Sequence, residues 1–190
     1  MRNLLHSLAV LSLFIFAGLG SAAAQQGQAP PPSKFKLMSS AFSDGGKVPT
    51  EYSCADKDAK SPALDWSNPP AGTMSFALIM HDTDAAPQKK TMDVTHWILW
   101  NIPGNADKLM GDVKPDTSPE GIAQGKNIRG VNGFQPPCPP PGATPHHYTF
   151  ELYALDSKLD LPAGSTRDEL LKAMDGHVIG KATTVGLFGR

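Results

Sequence analysis

Neither sign of charge dominates this chain: 17 Lys and Arg stand against 18 Asp and Glu, a net of −1. Without a basic excess it lacks the electrostatic footprint of a nucleic-acid binder. Cysteine is scarce, with Cys54 and Cys138 the only two, so at most one disulfide can form. Apart from one N-terminal run there is no long apolar stretch, and that run, Leu8 to Leu19, is short for a bilayer span of about 20 residues. Nucleophilic catalysis has no local signature, for no Gly-x-Ser-x-Gly elbow surrounds Ser61, Ser75 or any other serine. No recognised metal-ligand spacing and no internal repeat is visible. What is abundant is Gly (18) and Pro (18), too much of both for a helical protein and a sign of loop-rich β architecture.

The N-terminus reads as an export signal. A basic start, Met1-Arg2-Asn3, precedes the apolar run, and Ala22-Ala23-Ala24 supplies small residues for cleavage after Ala24. Residues 1–24 are thus expected to be a cleaved signal peptide, residues 25–34 a flexible Gln/Gly/Pro linker, and residues 35–190 a single domain. The expected location is periplasmic or secreted. In such a compartment Cys54 and Cys138 can pair, and the long loop closed would be worth about 4–5 kcal/mol in the chain-entropy account. Two buried free thiols are the alternative.

Strand signals dominate the domain. Phe35 to Phe42 alternates loosely and ends at the Ser43-Asp-Gly-Gly46 turn. Val48 to Cys54 reads as a second extended piece and Ala63 to Trp66 as a short strand. Phe76 to Met80 is apolar throughout, as a strand buried on both faces should be. Val94 to Ile102 is β-branched and aromatic and stops at Pro103. Residues 104–130 carry glycines and prolines and few apolar positions; so long a connection in a compact domain is usually functional or mobile. The prolines of 133–142 form a stiff wall ahead of a strong strand, His147 to Leu155. Thr166-Arg-Asp-Glu169 is a capping box for one helix. That helix is expected to stop at Gly176 or restart through Val178-Ile179, with a last short strand over Thr183 to Phe188. The sum is a mostly β, two-sheet antiparallel β-sandwich with one or two short peripheral helices.

Titratable groups concentrate where two of these strands meet. If 76–80 and 94–102 pair as antiparallel neighbours, His81, Asp82 and Asp84 come close to His96 at one rim of a sheet. His146 and His147 open a later strand, and Tyr148 follows them. Trp66, Trp97 and Trp100 are expected in the core or pocket wall.

These residues carry a resemblance. Tyr52-Ser-Cys54, Ser61-Pro62, the HDTDAAP loop, His96-Trp97 on a strand ending NIP, Pro137-Cys-Pro-Pro140 and His146-His-Tyr148 leading into LYALD occur in an order that resembles the phosphatidylethanolamine-binding protein family. The likeness is strongest to its bacterial Raf-kinase-inhibitor-like branch and covers about Phe35 to Leu187. It implies two stacked antiparallel sheets with a small anion pocket at one rim. The residues it implies as ligand-binding are Asp82, Asp84, Pro87, His96, His146 and Tyr148, supported by His81, His147 and Pro139. Three positions depart from the family pattern: Thr83 replaces proline, Ala85-Ala86 is one residue longer than a single alanine, and His147 replaces arginine. The last removes a permanent cation and a rigid donor fork, so His147 is expected to brace the aspartate loop less well, and only when protonated.

Mixed Asp and His chemistry suits a ligand carrying both signs, such as an ethanolamine phosphate head group, because imidazole and phenol donate to phosphate oxygens while a carboxylate orients the rings. An Asp beside a histidine is also expected to favour the protonated ring. The function expected is therefore an exported, non-catalytic binding protein for a small anionic or phosphorylated ligand, with an envelope protein as a further partner. It involves no cofactor, no nucleic acid and no membrane span. Two alternatives stand beside it: an inhibitor of a protease or other enzyme, and a metal-dependent hydrolase built on His81, Asp82, His96 and His146.

Overall fold

A computed structural model describes residues 35–85, 93–117 and 121–190. The expected signal peptide, the linker and Pro87 lie outside these. In chain order the strands are β1 (Lys36–Ser39), β2 (Gly46–Lys47), β3 (Leu64–Ser67), β4 (Ser75–Asp82), β5 (Val94–Pro103), β6 (Lys108–Leu109), β7 (Ala123–Gln124), β8 (His146–Leu155) and β9 (Val178–Phe188). One helix, α1 (Arg167–Met174), lies between β8 and β9.

The strands form two sheets, a three-stranded one ordered β1-β3-β6 and a six-stranded one ordered β2-β9-β8-β4-β5-β7. β4 lies inside the larger sheet, antiparallel to both β5 and β8. Every residue of β4 is buried, which is why its sequence shows no alternation. The side chains nevertheless divide by the period of two. Phe76, Leu78 and Met80 face the smaller sheet and pack with Leu37, Leu64, Trp66, Trp97 and Phe150. Ala77 and Ile79 face the other way and pack with Ile98, Trp100 and Leu155 under Leu170 and Met174 of α1. The helix is thus the lid of a second apolar layer. Its start is the expected reciprocal cap: the Thr166 hydroxyl accepts from the Glu169 N–H while the Glu169 carboxylate accepts from the Thr166 N–H.

Several expectations change. The 48–54 piece is not extended throughout; Pro49 sets φ at −62° and Thr50–Tyr52 closes a 3₁₀ turn, with Ser53 bonding back to the Thr50 carbonyl. Val178 and Ile179 do not continue the helix. Gly176, at φ +80°, ends it, and the β-branched run that follows pairs with nearly all of β8, making β9 eleven residues long rather than a short terminal strand. One pairing, β2 with β9, is parallel, so the sandwich is not wholly antiparallel. Residues 104–130 contain two small strands, β6 and β7, one on each sheet. Among the described residues no helix is long and apolar enough to cross a membrane.

Candidate functional site

The ends of three neighbouring strands make one rim. Asp82 closes β4 and lies opposite Tyr148 of β8, so the two side chains share a face, and His146 is two residues back on that same face. On β5 the register with β4 slips between Met80↔Trp97 and His81↔Thr95, leaving His96 as the extra residue of a bulge. A bulge re-aims a side chain that regular pairing would fix elsewhere. Here it brings His96 edge-on to the Tyr148 ring, with centroids 5.1 Å apart and planes at 87°. The His146 ring stacks over Tyr148 at 6.4 Å.

These groups surround a hollow of about 180 Å³, lined by Asp82, His96, His146, Tyr148 and the prolines Pro139 and Pro140, with Ala85, Val94, Ile128, Arg129, Gln135 and Cys138 completing the walls. Asp82 has two duties. Its Oδ1 accepts from the backbone N–H groups of Asp84 and Ala85, at 2.9 and 3.2 Å, and so shapes the turn that leaves β4. Its Oδ2 lies 2.8 Å from His146 Nδ1. His96 donates from Nδ1 to the Gln135 carbonyl at 2.7 Å. Both rings therefore spend Nδ1–H on protein acceptors and keep Nε2 as the remaining nitrogen. Burial drives the His96 pKa below the usual imidazole range, against the pull of the Gln135 carbonyl and the Asp82 charge. Asp82 does favour the protonated His96 ring, as expected, but burial outweighs it and the net shift is toward the neutral ring.

Tyr148 is the unusual member. It is fully buried, and its hydroxyl makes no well-formed hydrogen bond among the described residues, although the Asp82 carboxylate and the Cys138 N–H lie near it. Burial first, then the Asp82 charge, pushes its pKa well above the normal phenol value, so the proton stays on. A buried donor without a well-formed bond costs stability unless a ligand supplies a better-placed acceptor.

Not every expected residue reaches the hollow. Asp84 turns outward, where its carboxylate takes the His147 N–H at 2.5 Å and His147 Nδ1 at 2.9 Å. Those bonds outweigh burial and hold the Asp84 pKa low. His147 thus braces the loop with its backbone N–H as well as with its ring. His81 faces the α1 side of the sheet, as neighbours along a strand must alternate; it contacts Asp93 and lies 3.7 Å from Glu151, away from the hollow. A metal set of His81, Asp82, His96 and His146 is thus split across a sheet, and among the described residues no group of three His, Cys, Asp or Glu is arranged to hold a metal. Cys54 and Cys138 form a disulfide. With the Cys54 N–H bonded to the Pro137 carbonyl at 3.0 Å, it ties the proline wall to the 50–54 turn.

The residues that sequence reasoning missed come chiefly from 127–135. Gln135 and His96 exchange two bonds, His96 Nδ1 to the Gln135 carbonyl and the Gln135 N–H to the His96 carbonyl, and Ile128 N–H bonds the Thr95 carbonyl at 2.9 Å. This irregular stretch is stitched to the bulge itself.

The rim of this two-sheet sandwich thus gathers an Asp, two His and a buried Tyr about one hollow. The chain belongs to the phosphatidylethanolamine-binding protein family, whose profile matches residues 38–189. It is 44% identical over 156 residues to a UPF0098 protein of Methanothermobacter thermautotrophicus, covering 81% of this chain and 98% of that one. It is 35% identical over 161 residues to LppC of Mycobacterium tuberculosis, named as a lipoprotein, covering 84% and 75%. Among solved structures it is similar to CT736 of Chlamydia trachomatis, described as a phosphatidylethanolamine-binding protein homolog, with a TM-score of 0.74 at 35% identity over 83% of this chain and 99% of that one.

Proposed function

We propose that this protein binds a small anionic or phosphorylated group in the hollow between β4, β5 and β8, without transforming it. The observation that carries the reading is the buried Tyr148 hydroxyl, without a well-formed hydrogen bond, beside two imidazoles whose Nδ1 atoms are already engaged. An oxyanion would give that hydroxyl a better-placed acceptor. The size supports a small group. Pockets that enclose drug-sized ligands run from about 300 Å³ upward, so about 180 Å³ suits a head group or free anion and leaves any acyl chain outside. Asp82 then acts by orienting His146 and by shaping the loop. The disulfide fits an oxidising compartment, in keeping with an exported protein of the cell envelope.

Titration of the purified protein with inorganic phosphate and with phosphoethanolamine, followed by the ring signals of His96 and His146, tests this. Saturable shifts of both rings are expected. Rings that stay fixed up to millimolar ligand would remove the reading.

A further inference from the structure

The family pattern places an arginine where this chain has His147, and His147 is spent on Asp84 at the exposed side of the loop. The hollow is not thereby left without a cation. We propose that Arg129 supplies the charge and donor fork that select a tetrahedral oxyanion in this site, a role that rests on the binding reading above.

Three observations carry it. Among the described residues lining the hollow Arg129 is the one lysine or arginine, and its side chain makes no ion pair among the described residues. Its backbone is held with more care than an exposed surface loop requires. Asn127, itself buried, accepts on Oδ1 from the N–H groups of Arg129 and Val131 at 2.9 and 3.3 Å and donates from Nδ2 to the Gly133 carbonyl at 2.9 Å. Gly130, at φ +76°, completes the reversal with its N–H on the Asn127 carbonyl. Finally, the Ile128 N–H is bonded to the Thr95 carbonyl, next to the His96 bulge, so the turn that carries Arg129 is tied to the strand that carries His96. Arg129 is thus carried beside the hollow on a pre-organised turn, which limits the backbone ordering cost of using it.

The ligand class follows from where the donors stand. Tyr148 and His96 are buried in the wall, His146 is half-buried beside them, and Arg129 is exposed to solvent. Donors approaching from several directions match the three-dimensional oxygens of a phosphate better than the two coplanar oxygens of a carboxylate. The arginine fork can take two of those oxygens at once. Its positive charge also offsets that of Asp82, which otherwise repels any anion entering the hollow.

The test compares wild type, Arg129→Gln and Arg129→Lys by calorimetric titration with inorganic phosphate, phosphoethanolamine and acetate at several ionic strengths. Because Arg129 is exposed and its backbone bonds do not involve the side chain, the melting temperatures of all three should coincide. Phosphate affinity should fall about tenfold or more in Arg129→Gln, as for loss of a charged hydrogen bond. Acetate affinity should change less, and Arg129→Lys should fall between the other two. The decline of phosphate affinity with salt should flatten in Arg129→Gln, a change that a merely structural role would not produce. Phosphatidylethanolamine vesicles form a further arm: retention on vesicles that is lost in Arg129→Gln places the phosphate on a lipid, while binding of the soluble ions alone places it free in solution. Wild type and Arg129→Gln binding phosphate equally overturns this inference alone; no phosphate binding by wild type overturns it together with the function proposed above.

Discussion

Replacing Tyr148 by phenylalanine should stabilise the ligand-free protein and weaken ligand binding, an opposed pair of effects that few substitutions give. The ring is fully buried and its packing against His96 and His146 needs no hydroxyl. The hydroxyl makes no well-formed hydrogen bond among the described residues, and an unsatisfied buried polar group costs about 1–3 kcal/mol. Taking the lower end, Tyr148→Phe should gain about 1 kcal/mol, which for a domain of this size raises the melting temperature by roughly 2–4 °C. Phosphate binding loses a neutral donor to a charged acceptor, about 1.5–3 kcal/mol, so affinity should drop roughly 10- to 100-fold. Phosphate should accordingly raise the melting temperature of wild type much more than that of the variant. Scanning calorimetry with and without phosphate reads both effects in one experiment. A variant that melts several degrees lower while binding phosphate as well as wild type would show that the hydroxyl is satisfied within the protein, and the reasoning would fail.

Two further outcomes are expected. On the α1 side of the sheet, His81 lies between Asp93 and Glu151, Arg167 pairs with Asp93, and Glu151 also takes Lys181 and the Tyr153 hydroxyl. Burial opposes charge on both His81 and Glu151, yet their partners win: His81 is raised and Glu151 is lowered to about 2. The Glu151 contribution is complete above the ordinary carboxylate range and lost as pH falls toward about 2. The His81 contribution is complete below the ordinary histidine range and lost as pH rises through its raised folded value. Urea midpoints should therefore peak near about pH 5–6, and Glu151→Gln should flatten the acid limb; parallel curves for the two proteins would contradict this. Reducing the Cys54–Cys138 disulfide, whose partners are 84 residues apart, should cost about 4–5 kcal/mol in the chain-entropy account. Guanidinium midpoints with and without reductant measure this, and a difference below about 1 kcal/mol would place the constraint elsewhere.

Much of the fold could be read from local rules. The β4 run and the capping box of α1 each carry a signal that depends on a few residues and one packing requirement, and both stand where expected. Alternation could have placed His81 correctly: with Asp82 on the rim side, its neighbour must face α1. The bulge at His96 had no such signal, because a skipped partner is a property of two strands in register and not of either alone. For the same reason Asp84 looked like a pocket residue, while the backbone of His147, which captures it, is invisible in a list of side chains. Residues 127–135 show neither period, and their order comes from one buried amide, Asn127, and from bonds to β5. Nothing local distinguishes that from a plain loop. Val178 and Ile179 were ambiguous because a β-branched pair after a helix can extend it or start a strand; the length of β8 decided the matter.

The last peptide of β4 joins two charged neighbourhoods that share no side chain. Asp82 reaches forward into the hollow, and His81, bonded to it covalently, reaches backward into the Asp93–Arg167–Glu151 cluster. The two faces are not electrostatically private from one another: a positive His81 behind the sheet helps to lower the pKa of His96 in front of it, so charge gained behind favours a neutral ring in the hollow.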